Sequence, residues 1–142
     1  MIEEVRDNGE LLALIVRNNF RKPGVSFVTP DYLAQQVAYM QHSAGKQIQP
    51  HVHNETPREI LRTNEVLLIK RGKLRVDFFS QQQQYLHSRV LEAGDLILLA
   101  GGGHGFEALS DLEMIEVKQG PYVGEEDKTR FTLPENFVPN IV

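Results

Sequence analysis

An all-β fold is predicted for this 142-residue chain by three observations. Its apolar residues fall in short runs of four to seven rather than in long helical periods. The runs are separated by Gly, Asn, Pro and Asp clusters of the kind that make turns. They recur at close spacing, as expected of a barrel or sandwich of many short strands. The length suits one domain with a sizeable core, and the absence of Trp makes that core mostly aliphatic.

Residues 11–16, Leu-Leu-Ala-Leu-Ile-Val, are too short and too continuous for an amphipathic helix and read as a buried strand. Asn18-Asn19, Lys22-Pro23-Gly24 and Thr29-Pro30 punctuate a second short strand at 25–28. Asp31 is placed to cap a single helical turn. Residues 36–42 read as strand, with Val37, Tyr39 and Gln41 on one face and Ala38, Met40 and His42 on the other. A turn at 43–46 leads into a strand over 47–53. Residues 54–64 are polar, contain Pro57 and read as a loop. Strands at 65–70 and 74–79 flank Arg71-Gly72-Lys73, the signature of a hairpin. Gln81 to Gln84 is a solvated tip. Residues 90–91 precede a turn at 92–95, residues 96–99 are a buried strand, and 106–109 and 114–118 are two more around Ser110-Asp111.

The net charge of −4 gives no general attraction to nucleic acid or an anionic membrane. No apolar run approaches membrane-spanning length, and the opening MIEEVRDNGE lacks a signal-peptide pattern. A cytoplasmic location is therefore expected. Cysteine is absent, so disulfides and thiolate metal sites are excluded. Any metal must be held by His, carboxylate or water.

His51-Val52-His53 puts two imidazoles at i and i+2, on one face of a strand. Glu65 opens the next strand, and His104 lies in the glycine-rich stretch Ala100-Gly101-Gly102-Gly103-His104-Gly105. Two His with a carboxylate on neighbouring strands can hold a divalent metal, and His104 is the natural fourth ligand. A lone His-x-His is more often a solvated pair, and Glu65 alone more often a strand-end charge. Glu55 and Glu59 are alternative carboxylates. Tyr39 can offer a phenol as hydrogen-bond donor or acid/base group, although a core aromatic is an equal expectation. Arg58 and Arg75 are candidate anion binders, as guanidinium matches phosphate or carboxylate bidentately.

These residues resemble the two motifs of the cupin superfamily. The first is carried by Gly45, five residues on His51-Val52-His53, then Glu65 and, six residues further, Gly72. Eleven residues separate His53 from Glu65, where the family has three or four. The second is carried by Gly94, Ala100, Gly102 and His104, with Ala at the usual Pro position and one residue missing. The resemblance implies a single domain over 1–142, with motifs in 45–118, extra N-terminal strands in 11–42 and a tail at 119–142. It implies a double-stranded β-helix, or jelly-roll, barrel. It also implies one divalent Mn, Fe, Ni, Co or Zn on His51, His53, Glu65 and His104. The stretch from Ile115 to Phe131, including Gly124-Glu125-Glu126-Asp127 and Arg130, is similar to the end of the cupin domain in bifunctional mannose-6-phosphate isomerase/mannose-1-phosphate guanylyltransferases. That similarity implies a sugar-phosphate or nucleotide-sugar substrate, handled by isomerisation or epimerisation with Glu65 or Tyr39 moving a proton. An Fe-dependent dioxygenase and a non-catalytic binder of a sugar or small acid are the alternatives. A homodimer is expected through the apolar strands at 11–16 and 25–28, which would be unsafe as free edges.

Overall fold

The computed structural model describes residues 1–142 and is all-β apart from one 3₁₀ turn. Ten strands occur in chain order: β1 Ile2–Asp7, β2 Glu10–Val16, β3 Gly24–Phe27, β4 Ala38–Gln41, β5 Glu65–Arg71, β6 Lys73–Phe79, β7 Tyr85–Glu92, β8 Leu96–Leu99, β9 Gly103–Ala108 and β10 Glu113–Lys118. The 3₁₀ turn is Gly124–Asp127. A five-stranded sheet runs β1-β2-β8-β5-β10, a three-stranded sheet runs β7-β6-β9, and β3-β4 form a separate hairpin. All strand pairings are antiparallel. The expected closed barrel is not formed, because the edges of β10 and β9 carry no further strand. No helix is long and apolar enough to cross a membrane.

The two larger sheets enclose one core. It is built from Val5, Leu12, Ala13, Ile15, Leu67, Ile69, Leu74, Val76, Phe78, Leu91, Ile97 and Leu99. Burying each of the larger side chains contributes roughly 1.5–3 kcal/mol. In β5, Glu65, Leu67 and Ile69 point inward while Leu68 is exposed, so a continuous apolar run still folds as a one-faced strand.

The N-terminal strand β1 was not among the expected elements. Asn8-Gly9, with φ of 49° and 80°, makes the two-residue connection that pairs Asp7 with Glu10. This strand covers β2, so residues 11–16 lie inside the sheet between β1 and β8 and are not a free edge. Of the two strands on which the dimer expectation rested, the one at 11–16 is therefore covered, whereas the other, β3, pairs only with β4 and exposes Val25 and Phe27. Asp31 caps no helix; Leu33 N–H donates to Pro30 C=O in a turn.

The expected hairpin at Gly72 is instead a corner. Strands β5 and β6 abut there but belong to different sheets. The chain changes sheet again at Gly94, at Gly101 to Gly103 and at Ser110-Asp111. At the first corner Lys73 N–H donates to Ser110 Oγ at 2.9 Å, and Leu109 N–H to Lys73 C=O at 2.9 Å. Packing the two corners together leaves no room at Gly72: a Cβ there would lie 2.0 Å from the Asp111 carbonyl oxygen.

The strand expected over residues 47–53 is absent. Residues 42–64 carry no regular structure until β5 begins and are exposed up to Arg62. Period-2 alternation makes a strand only where a neighbour takes its backbone groups, and none lies beside this segment in the single chain.

Gly72→Ala is expected to lose roughly 1–3 kcal/mol or more in urea unfolding, through its φ of 89° and the Asp111 clash. Gly9→Ala, with φ of 80° but nothing within 4 Å of the added carbon, is expected to lose less. Equal losses would remove the clash from the explanation.

Candidate functional site

Strand β8 runs between β2 and β5, and its register places Leu99 opposite Glu65. Ala100 and Gly101 N–H then both donate to the Leu12 carbonyl, and the chain turns through Gly102 into β9. Gly102 has φ of 64°, and a Cβ there would meet the Phe79 carbonyl oxygen at 2.5 Å. The turn lands His104 over the start of β5. Its Nε2 lies 3.2 Å from Glu65 Oε2. On the other side of β5, Lys118 is the cross-strand partner of Glu65, and its Nζ lies 3.2 Å from Oε1.

Glu65 is buried, yet its carboxyl is held down to about 2. The hydrogen bond from His104 is the largest cause, followed by burial acting in the opposite direction and then by the charges of His104 and Lys118. The ammonium of Lys118 is correspondingly raised, chiefly by its hydrogen bond to Glu65. A carboxylate so firmly ionised is poorly matched to moving a proton near neutral pH. It suits a fixed negative charge or a ligand. Lys118 was not singled out from sequence; its only signal is the β5–β10 register, which is a tertiary fact.

Glu65 and His104 line a cleft of about 960 Å³, open on one side. It wraps the free edge of β9, so that His104 and Phe106 and also Gly105 and Glu107 contribute to its wall. Lys128, Arg130 and Phe131 of the tail form its rim. Phe131 packs edge-on against Phe79, with ring centroids 5.0 Å apart.

The other expected site residues lie elsewhere. His51 and His53 are exposed, with rings 5.1 Å apart, and His51 Nδ1 sits 2.9 Å from the Gln49 carbonyl. Neither lines the cleft. Tyr39 packs edge-on against Phe20 at 5.0 Å, with its hydroxyl 3.3 Å from Gln41 Oε1, also outside the cleft. Glu55 and Glu59 are exposed. Arg58 lines a second cavity of about 490 Å³, next to Lys118, Lys128 and Tyr122. Arg75 reaches the main cleft but is engaged: Nε and Nη2 donate to Asp77 at 2.8 and 3.0 Å, and Glu107 takes Nη1 at 2.5 Å. Asp77 also accepts from Ser88 Oγ, which meets Tyr85 OH at 2.7 Å; Asn140 N–H donates to that phenol at 2.8 Å. Arg75 therefore joins β6 to β9, while Asp77, Ser88 and Tyr85 tie the tail to β6 and β7.

No group of three or more His, Cys, Asp or Glu side chains is gathered to hold a metal. Within one chain Glu65 and His104, of the four residues singled out for a metal, converge, while His51 and His53 stand apart from them. No family model, curated protein or solved structure matches the chain significantly.

Because the folded Glu65 carboxyl titrates near 2, below its ordinary value of 4.5, it stabilises the fold fully above the unfolded value. That contribution is lost as pH falls through the folded value. The stability gap between wild type and Glu65→Gln is expected to be on the order of 3 kcal/mol at neutral pH and to shrink from pH ~5 downward. Urea titrations from pH 7 to 2.5 measure it, and a pH-independent gap would contradict the assignment. Arg58→Ala is expected to shift stability by less than ~0.5 kcal/mol while weakening an anionic ligand in the second cavity. Thermal melts with and without inorganic phosphate read both effects.

Proposed function

We propose that the chain is a cupin-type metal-binding protein acting on a sugar phosphate or nucleotide-sugar, in the manner of an isomerase or epimerase. The observation that carries this reading is the contact of His104 with buried Glu65 in an open cleft of about 960 Å³. These two residues come from the two separate motifs of the sequence resemblance. The volume is in the range of small-molecule sites.

The cleft residues have distinct chemical roles in this reading. Glu65 supplies a permanent negative charge, and Lys118 and His104 orient it. Lys128 at the rim and Arg58 in the neighbouring cavity suit an anionic substrate, whereas Arg130 is paired with Glu125 and Lys118 with Glu65 and Glu116. A resident divalent metal would act as a Lewis acid on a carbonyl or hydroxyl. A non-catalytic binder is the second reading, favoured by the low titration of Glu65, which removes it as a general base at neutral pH.

Metal per chain after loading with Mn, Fe, Co, Ni or Zn and desalting tests the proposal. His104→Ala is expected to abolish binding and Glu65→Gln to weaken it, while His42→Ala and His87→Ala leave it intact. Binding is expected to be tighter at pH 8 than at pH 5.5, because imidazole must be neutral to coordinate. Wild type that stays metal-free would remove the metal from the proposal. Turnover of a nucleotide-sugar and sugar-phosphate panel separates enzyme from binder.

A further inference from the structure

Besides β1, two edge strands of the body have no partner on their outer side. Strand β9 pairs only with β6, and β10 pairs only with β5. Their outer sides carry apolar residues in the open: Phe106 on β9, and Met114, Ile115 and Val117 on β10, the last 55% exposed. Unpaired strands with exposed apolar side chains are templates for another strand.

The chain also carries an excursion with strand character and no partner. No backbone hydrogen bond links residues 22–61 to the rest of the molecule. Within it, β4 pairs only with β3 and leaves its other side free. A turn follows, with Lys46 N–H donating to Ser43 C=O and Gly45 at φ 88°. Residues 47–53 then alternate Gln47, Gln49, His51, His53 with Ile48, Pro50, Val52. Val52 is 85% exposed. Two strand-forming segments joined by a turn thus face solvent, as do two strand edges of the body.

Both roots of the excursion are pinned. Asn18 N–H and Arg17 Nη1 donate to Asp95 at 2.8 and 2.9 Å. At the far root Arg62 pairs with Glu10, Thr63 with Asp127, and Gln119 N–H donates to Asn64 C=O at 2.9 Å. Between these anchors, residues 44–57 line neither cavity. The same arm and the same edges recur on a second copy, and a twofold exchange closes the edges of both at once. Parity agrees: His104 and Phe106 share one face of β9 with the core-facing Phe78 and Val76, and His51 and His53 share one face of the arm.

We propose that two copies exchange arms, residues 47–53 of one adding to the β9 edge of the other and bringing His51 and His53 to its Glu65 and His104. The metal half of this rests on the reading of the cleft given above; the exchange itself rests on the edges and the arm. It also accounts for the four-residue set that does not assemble in one chain.

The chain has no cysteine, so engineered thiols report without background. With His51 and His53 on the His104 face of β9, Val52 falls on the opposite face, which is that of Gly105 and Glu107. A Val52→Cys chain co-expressed with a Gly105→Cys or Glu107→Cys chain under a different tag is expected to give a disulfide-linked heterodimer. The Val52→Cys, Glu107→Cys double variant is expected to migrate as a covalent dimer on a non-reducing gel. Cross-linking confined to one chain, absence of any cross-link at both β9 positions, or a wild-type monomer mass in sedimentation at micromolar protein would overturn the exchange. A second arm co-expresses a His51→Ala, His53→Ala chain with a Glu65→Gln, His104→Ala chain. Each alone is expected to hold essentially no metal, and the heterodimer purified through two different tags to recover about one metal per two chains, because one of its two exchanged sites is then intact. A cross-linked dimer that binds no metal leaves the exchange standing and removes the metal reading.

Discussion

Strand β8 is the element from which the others take their positions. Leu96–Leu99 is hydrogen-bonded to β2 on one side and to β5 on the other, with Ile97, Leu98 and Leu99 buried. A four-residue strand holds such a place because both of its edges are paired and its side chains meet core on removal from water. Asp95, just before it, fixes its start. The carboxylate accepts from Asn18 N–H, Glu92 N–H and Arg17, so one buried side chain joins the end of β2 to the corner after β7. Loss of such a group leaves several donors unsatisfied, which costs more than the hydrogen bonds contribute when present.

The site inherits its geometry from that strand. Leu99 opposite Glu65 sets the level, the Gly101 to Gly103 turn changes sheets, and His104 arrives at the carboxylate. The short side of the turn is enforced by the Phe79 carbonyl beneath Gly102, where no side chain fits. Lys118 arrives independently through the β5–β10 register. Three residues far apart in sequence therefore meet because backbone pairing, which has few registers, brings them to the same level. The resulting carboxylate is held ionised by two donors against the effect of burial, a balance that depends on both staying in place.

Arg75 illustrates how a residue that looks like a substrate anchor can be absorbed by the fold. Its i+2 neighbour on the same strand face is Asp77, and the tail lays Phe137 near the guanidinium, 5.8 Å from it to the ring centroid. A planar fork between two carboxylates and an aromatic ring is already complete. Nothing in the sequence distinguishes it from an arginine left free for a phosphate, since Glu107 and Phe137 reach it only through the β6–β9 pairing and the path of the tail.

The sequence by itself determined the all-β class, the buried runs at β2, β5 and β8, and the turns at Gly94 and Ser110-Asp111, and it singled out Glu65 and His104, which the fold brings within 3.2 Å of each other. Local composition is sufficient there, because period and turn chemistry act within a few residues. It also held the signal for β1, in Asn8-Gly9. Only the tertiary structure decided that Gly72 is a corner between sheets, that the barrel stays open, that Lys118 shares Glu65, and that residues 47–53 have no strand beside them in one chain. Those outcomes depend on which backbone edges meet. Hydrogen-bond donors and acceptors are the same at every residue, so their partners are chosen by the packing of the whole chain rather than by any stretch of it.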